Sequence, residues 1–209
     1  VGQREAWQRL MQMEKEDRIP HALLMCGPAG CGKMALAIAF ASHLLGDSPL
    51  LNNWNHPDLH FSYPTIKKPS MGSEHQPVSD DYAQEWRNML AQGPYFTMEQ
   101  WMKEMDAENQ QAIITGAESD VLARQLSLKA SQGGYKISII WLPERMNLAS
   151  ANKILKLLEE PPQQTLFIMV SEEPEKLLET IRSRTQRFAV KRIDEADIEQ
   201  ALTTRRGLD

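Results

Sequence analysis

Seven consecutive residues, Gly27-Pro28-Ala29-Gly30-Cys31-Gly32-Lys33, fit the pattern G-x-x-x-x-G-K. Chemistry at this spacing would be anion binding. Glycines let the backbone wrap closely around a phosphate. A helix starting directly behind the turn adds its free amides and the positive end of its dipole. Lys33 would reach the β- and γ-phosphates of a nucleotide. The plain alternative is an ordinary glycine turn. One position departs from the pattern: a Ser or Thr hydroxyl should follow the lysine to hold Mg²⁺, and the chain has Met34. A thioether is a soft, weak acceptor and a poor partner for a hard cation. The loop can hold phosphate, but its metal should be held poorly.

A nucleotide-hydrolysing loop of this kind also needs an Asp at the end of a second buried strand, often beside a Glu that activates water. The matching apolar run, Ile137-Ser138-Ile139-Ile140, is followed by Trp141 and Leu142. Glu144 lies beyond Pro143 and reads as a solvated loop residue. Ser171, just after the third apolar run, gets no role. Two independent magnesium positions are lost together, which suggests a scaffold that no longer hydrolyses nucleotide.

These residues need elements to position them. Residues 2–15 place Ala6, Trp7, Leu10, Met11 and Met13 on one face of an amphipathic helix. Residues 21–26 are continuously apolar, the mark of a strand buried on both sides of a parallel sheet. The glycine loop follows, then an Ala- and Leu-rich helix over 33–45, stopped by Gly46. A short strand is predicted at 58–61 and a long loop at 62–80. Helices are predicted at 81–91, at 97–105 with Thr97 and Gln100 at capping-box spacing, and at 119–128. After a turn at Gly133-Gly134 come a strand at 136–142 and a helix at 147–160, stopped by Pro161-Pro162. A strand at 165–170, a helix from Pro174 to 181, a strand at 187–190 and a helix at 194–202 complete the chain. Alternating strands and helices imply right-handed βαβ units and a parallel sheet.

With 209 residues, 42% hydrophobic and 24% charged, the chain suits one sizeable α/β core plus a small appendage. Its net charge of −5 argues against tight DNA binding by the chain alone. No apolar run reaches the roughly 18 residues of a membrane span. With no start methionine and no visible signal peptide, the sequence reads as an excised part of a cytoplasmic protein. Cys26 and Cys31 do not make a disulfide framework.

Several further runs carry a resemblance. Val1-Gly2-Gln3, Pro20-His21-Ala22-Leu23-Leu24, the glycine loop and His56-Pro57-Asp58-Leu59-His60 stand at the front. Leu155-Lys156-Leu157-Leu158-Glu159-Glu160-Pro161-Pro162 and Ile181-Arg182-Ser183-Arg184-Thr185 stand near the end. Together they resemble the bacterial DNA polymerase III clamp-loader family of AAA+ proteins, the delta-prime subunits above all, with gamma/tau as relatives. The resemblance spans most of residues 1–61 and 114–200. It implies a P-loop AAA+ three-layer α/β fold over residues 1–192; residues 62–113, outside the resemblance, read as an insertion that elaborates the surface, with a partner contact as the alternative. Residues 193–209 would begin a truncated helical lid. Active gamma/tau subunits keep a Ser or Thr and an Asp-Glu pair where this chain has Met34, Trp141 and Leu142, and their loss is the delta-prime habit. The family's four-cysteine zinc module has no counterpart in residues 41–57, so no zinc is expected.

The resemblance also singles out Arg184. Residues 182–192 hold Arg182, Arg184, Arg187, Lys191 and Arg192 without an acid, which by itself reads as a solvated charged face. Arg184 occupies the Arg of the family's Ser-Arg-Cys motif, with Thr185 in place of Cys. In the family this arginine reaches the ATP of the neighbouring subunit. The expected function is therefore a non-hydrolysing subunit of the replicative clamp loader, donating an arginine finger in trans. The degenerate loop (Gly27, Gly30, Gly32, Lys33, Met34) would need no cofactor and would bind ATP or ADP weakly. Partners would be the gamma/tau and delta subunits, with the sliding clamp and primed DNA met through the assembly. An active gamma/tau-like ATPase and an unrelated P-loop protein are the alternatives.

Overall fold

The structure is a computed structural model that describes residues 2–46, 48–128, 130–131 and 134–206. Gly133 of the predicted turn lies outside the described residues. In chain order the elements are α1 (Arg4–Lys15), β1 (Ala22–Cys26), α2 (Lys33–Leu44), β2 (Leu59–Ser62), α3 (Ala83–Gln92), α4 (Met98–Glu104) and α5 (Gly116–Ser127). They continue with β3 (Lys136–Trp141), α6 (Leu148–Glu159), β4 (Thr165–Ser171), α7 (Glu179–Arg182), β5 (Gln186–Ala189) and α8 (Glu195–Arg206). The five strands form one sheet in the order β2-β3-β4-β1-β5, and every pairing is parallel.

Three of these strands are continuous apolar runs because both faces of the sheet are covered. β1, β3 and β4 are buried at every residue. Alternation splits their side chains between two cores. Leu23, Met25, Ile137, Ile139, Leu166 and Ile168 pack with Leu10 of α1 and Leu36, Ile38 and Phe40 of α2. Leu24, Ile140, Phe167 and Met169 pack with Leu122 of α5, Ile154 and Leu158 of α6, and Ile181 of α7. This is the helix–sheet–helix layering expected from the sequence.

Residues 62–113 behave differently from a surface decoration. Trp86, Met89 and Leu90 of α3 and Trp101 and Met102 of α4 are buried within the first core. The capping box of α4 forms as its spacing predicts: the Thr97 amide donates to Gln100 Oε1 at 2.8 Å, and the Gln100 amide to Thr97 Oγ1 at 3.3 Å. A second departure concerns the helix predicted from Pro174. It is a 3-10 turn at Pro174–Lys176 and a separate α7, interrupted by extended backbone at Leu177. Leu177 and Ile181 are both buried in the second core, and the break lets both reach it. Helix α5 begins at Gly116, earlier than predicted, because Thr115 caps it through Oγ1.

Buried Glu118 of α5 ties residues 62–80 to the body. Its Oε1 accepts from Ser62 Oγ and its Oε2 from the Ser79 amide, each at 2.6 Å. Burial pushes this carboxyl above its usual range, and the bonds from Ser62 and Ser79 only partly oppose that. The folded state therefore keeps a proton that the unfolded chain releases near pH 4.3. Stability from this group is full below that pH and falls as pH rises through the folded value. Glu118→Gln keeps an acceptor for Ser79 and a donor for Ser62. Urea unfolding from pH 4 to 8 should show a decline in the parent that is flattened in the variant. Parallel profiles would rule out Glu118 as its source.

Candidate functional site

The glycine loop joins the buried end of β1 to the start of α2. Gly27 faces the chain just after β5, where an added Cβ would lie 2.2 Å from the Val190 carbonyl oxygen, so no side chain fits there. Gly30 and Gly32 hold φ of 74° and 84°, the left-handed region that glycine enters without strain. Gly32 precedes the first turn of α2, whose amides have no partner within the helix. The glycines and the helix start thus stand where the sequence places them.

The cradle's lysine does not point out of it. Lys33 is 5% exposed. Its ammonium donates to the carbonyls of Gly27 at 2.7 Å and Pro28 at 2.6 Å and lies 3.8 Å from Cys31 Sγ. An ammonium has three donors, and all three are turned into the loop itself. Met34 is buried in the first core, so its side chain is a packing element.

Across the loop lies the chain between α3 and α4. A small pocket is lined by Gly30, Gly32, Lys33 and Met34 on one side and by residues 94–97, Trp141, Val170 and Glu172 on the other. A Cβ added to Gly32 would sit 3.6 Å from Tyr95 Cε1. Phe96 stands edge-on to Trp141 at 5.1 Å and to Trp86 at 5.4 Å, and Trp86 stacks on Tyr63 at 3.9 Å. Trp141, at the end of β3, is 3% exposed. Where an acidic pair would hold magnesium, the structure has an aromatic wall. The thioether and the indole offer no hard oxygen donor, and Glu172 is the single carboxylate among the lining residues, so the hydroxyl and acidic pair that would hold Mg²⁺ are replaced. On the outer side of the loop an open cleft of about 610 Å³ runs between α1, α2 and α8.

Glu144 is not a solvated loop residue. Its Oε1 accepts from the amides of Glu172 at 2.8 Å and Glu173 at 3.0 Å, fastening the chain beyond β4. Ser171 is fully buried, and its hydroxyl has no partner among the described residues. Cys26 and Cys31 are buried free thiols. Among the described residues no group of three or more His, Cys, Asp or Glu is placed to hold a metal ion.

Four of the five cations in the basic run pair with acids distant in sequence or a helical turn away. Arg182 pairs with Glu175 and Glu179, Arg187 with Glu175, and Lys191 with Glu5. Arg184, just beyond α7, is half-buried. Its Nη2 lies 2.8 Å from Glu159 Oε1 at the end of α6, and its Nη1 donates to the Thr180 carbonyl at 2.9 Å and to Ser183 Oγ at 3.4 Å. Sequence reasoning missed these pairings because Glu159 and Glu175 stand outside the basic run. It also missed residues 94–97 as part of the loop's surroundings.

A protein family described as "DNA polymerase III, delta subunit" matches residues 2–194. DNA polymerase III subunit delta' of Pseudomonas aeruginosa is 28% identical over 193 residues, covering 85% of this chain and 46% of that protein. Subunit delta' of Bacillus subtilis is 26% identical over 203 residues, covering 90% and 47%. Subunit tau/gamma of Haemophilus influenzae is 28% identical over 202 residues, covering 97% and 25%. The chain thus spans about half the length of the delta' relatives. Among solved structures, a gamma subunit-related protein of Thermotoga maritima superposes with a TM-score of 0.59 at 16% identity, covering 92% of this chain and 49% of the other. That likeness carries the fold alone.

Proposed function

The chain belongs to the DNA polymerase III delta-subunit family, and from that premise we propose that it is a non-hydrolysing AAA+ subunit of the replicative clamp loader. One observation carries the reading: the Lys33 ammonium is bonded to the Gly27 and Pro28 carbonyls, with Tyr95 and Phe96 across the loop. Engaging a nucleotide's phosphates with Lys33 there would require breaking both bonds. Nothing at the end of β3 would then hold magnesium or activate water. The degenerate loop of Gly27, Gly30, Gly32, Lys33 and Met34 is a structural relic in this reading.

Arg184 serves a different site. It donates its guanidinium to the ATP of a neighbouring subunit, where charge develops on the transferred phosphoryl group. Gamma/tau and delta subunits are the partners, the sliding clamp and primed DNA are met through the assembly, and the complex works in the cytoplasm. Residues 1–192 form the AAA+ domain, with 62–113 its insertion, and α8 opens the helical lid. Among the described residues no helix is long and apolar enough to cross a membrane.

The test is phosphate release. The isolated chain should release no phosphate from Mg-ATP above the background of its Lys33→Ala variant, yet join gamma/tau and delta subunits in one complex on gel filtration. Turnover that disappears in Lys33→Ala would favour the gamma/tau-like ATPase. Failure to enter the complex would sink the clamp-loader reading.

A further inference from the structure

We propose that Glu159 is a positioning residue for Arg184, holding the guanidinium in the pose from which it meets the neighbouring subunit's nucleotide. The inference rests on the reading of Arg184 given above and adds a second residue to it. Glu159 is the last residue of α6, and its carboxylate lies 2.8 Å from Arg184 Nη2. The Thr180 carbonyl takes Nη1 at 2.9 Å. The guanidinium is thus held between a carboxylate on one helix and a carbonyl on another. Its Nε–H has no partner among the described residues and is left for an incoming anion.

Three features give Glu159 this task rather than that of a generic surface acid. It stands at the negative end of a helix dipole, where a carboxylate is disfavoured, and the arginine beside it compensates. Its helix is anchored directly behind it by buried Leu158 and stopped by Pro161-Pro162, so the carboxylate has a fixed origin. Its arginine is not shared: Arg182 and Arg187 are held by Glu175 and Glu179 instead. A free arginine samples many rotamers. One pinned at two points meets its target without that ordering cost, and a misplacement of about 1 Å at such a site can lower a rate about 100-fold.

The experiment uses the full chain in the assembled loader with clamp and primed DNA, and reads single-turnover phosphate release across ATP concentrations. Glu159→Ala should lower the rate constant at saturating ATP about tenfold at the site Arg184 faces, with half-saturation unchanged. Glu159→Gln keeps an acceptor oxygen and should recover most of the rate. In the double variant with Arg184→Ala, Glu159→Ala should cost nothing more, because the residue it positions is gone. Glu160→Ala, on the next residue, should match the parent. A parental rate in Glu159→Ala while Arg184→Ala is slow overturns this inference alone. So does an additive loss in the double variant, or an equal loss in Glu160→Ala. A parental rate in Arg184→Ala overturns both this inference and the reading beneath it.

Discussion

Replacing Arg184 with alanine is expected to slow phosphate release at the neighbouring site of the assembled loader by about 10³-fold, the lower end of what an arginine finger supplies. The loss falls on the one nucleotide that this arginine faces. It should therefore appear as a missing fast phase in single-turnover release and as slow clamp loading. Affinity for ATP should change little, because the guanidinium acts on charge that develops only in the transition state. Arg184→Lys should recover little, since a lysine lacks the planar fork. Folding should be nearly unaffected: the pair with Glu159 is more than a third exposed on both sides, and such pairs contribute about 1 kcal/mol or less. Arg187→Ala removes an equal charge from a more exposed position and should leave release intact. Equal damage from Arg187→Ala would reduce Arg184 to one member of a basic surface.

Trp86→Ala should have the largest effect on stability, about 3–5 kcal/mol, a large share of the 5–15 kcal/mol typical of a domain. Trp86 touches Phe61, Tyr63, Phe96, Trp101 and Trp141, so its loss opens a cavity between residues 62–113 and the sheet. The two neighbouring tryptophans should part company when replaced by phenylalanine. Trp86 Nε1 has no partner among the described residues, so Trp86→Phe loses volume but no bond and should cost less than Trp86→Ala. Trp101 Nε1 donates to the Pro64 carbonyl at 2.7 Å, so Trp101→Phe also strands a buried acceptor, adding about 1–3 kcal/mol. Urea midpoints should rank Trp86→Phe above Trp101→Phe, and both above Trp86→Ala. Equal midpoints for the two phenylalanine variants would remove the hydrogen-bond argument.

What was legible in the sequence was what is local or periodic. The turn of Gly27 to Lys33, the Thr97–Gln100 cap and the apolar runs of β1, β3 and β4 each announce themselves within a few residues. The losses at Met34 and Trp141 were visible as wrong residue types at fixed offsets. What joins distant segments was not visible. Nothing within a few residues of Trp86, Phe96 or Trp101 marks them as partners of one another. Only folding brings them against Trp141 and places Tyr95 beside Gly32. Lys33 carried no sign of which way its side chain turns, because the same residue can face a phosphate or its own loop. The run from Arg182 to Arg192 looked uncompensated for a related reason. The acids that meet four of its cations come from α1, the end of α6, the segment between β4 and α7, and the start of α7.

The strand order also bears on how the chain is made. β1, five apolar residues leading into the glycine loop, is flanked in the sheet by β4 and β5. Both are encoded roughly 140 residues or more after it. A ribosome adding about 5–20 residues per second needs on the order of 10–30 s to deliver them. Throughout that interval the nascent β1 has no edge to join. The seam that completes the sheet is therefore closed last, from the C-terminal side, over a long loop-closure distance that slows folding. Ala22–Cys26 is where a chaperone would be expected to engage the emerging chain. A truncation ending before β4 should leave that segment open to proteases, and one ending after β5 should protect it.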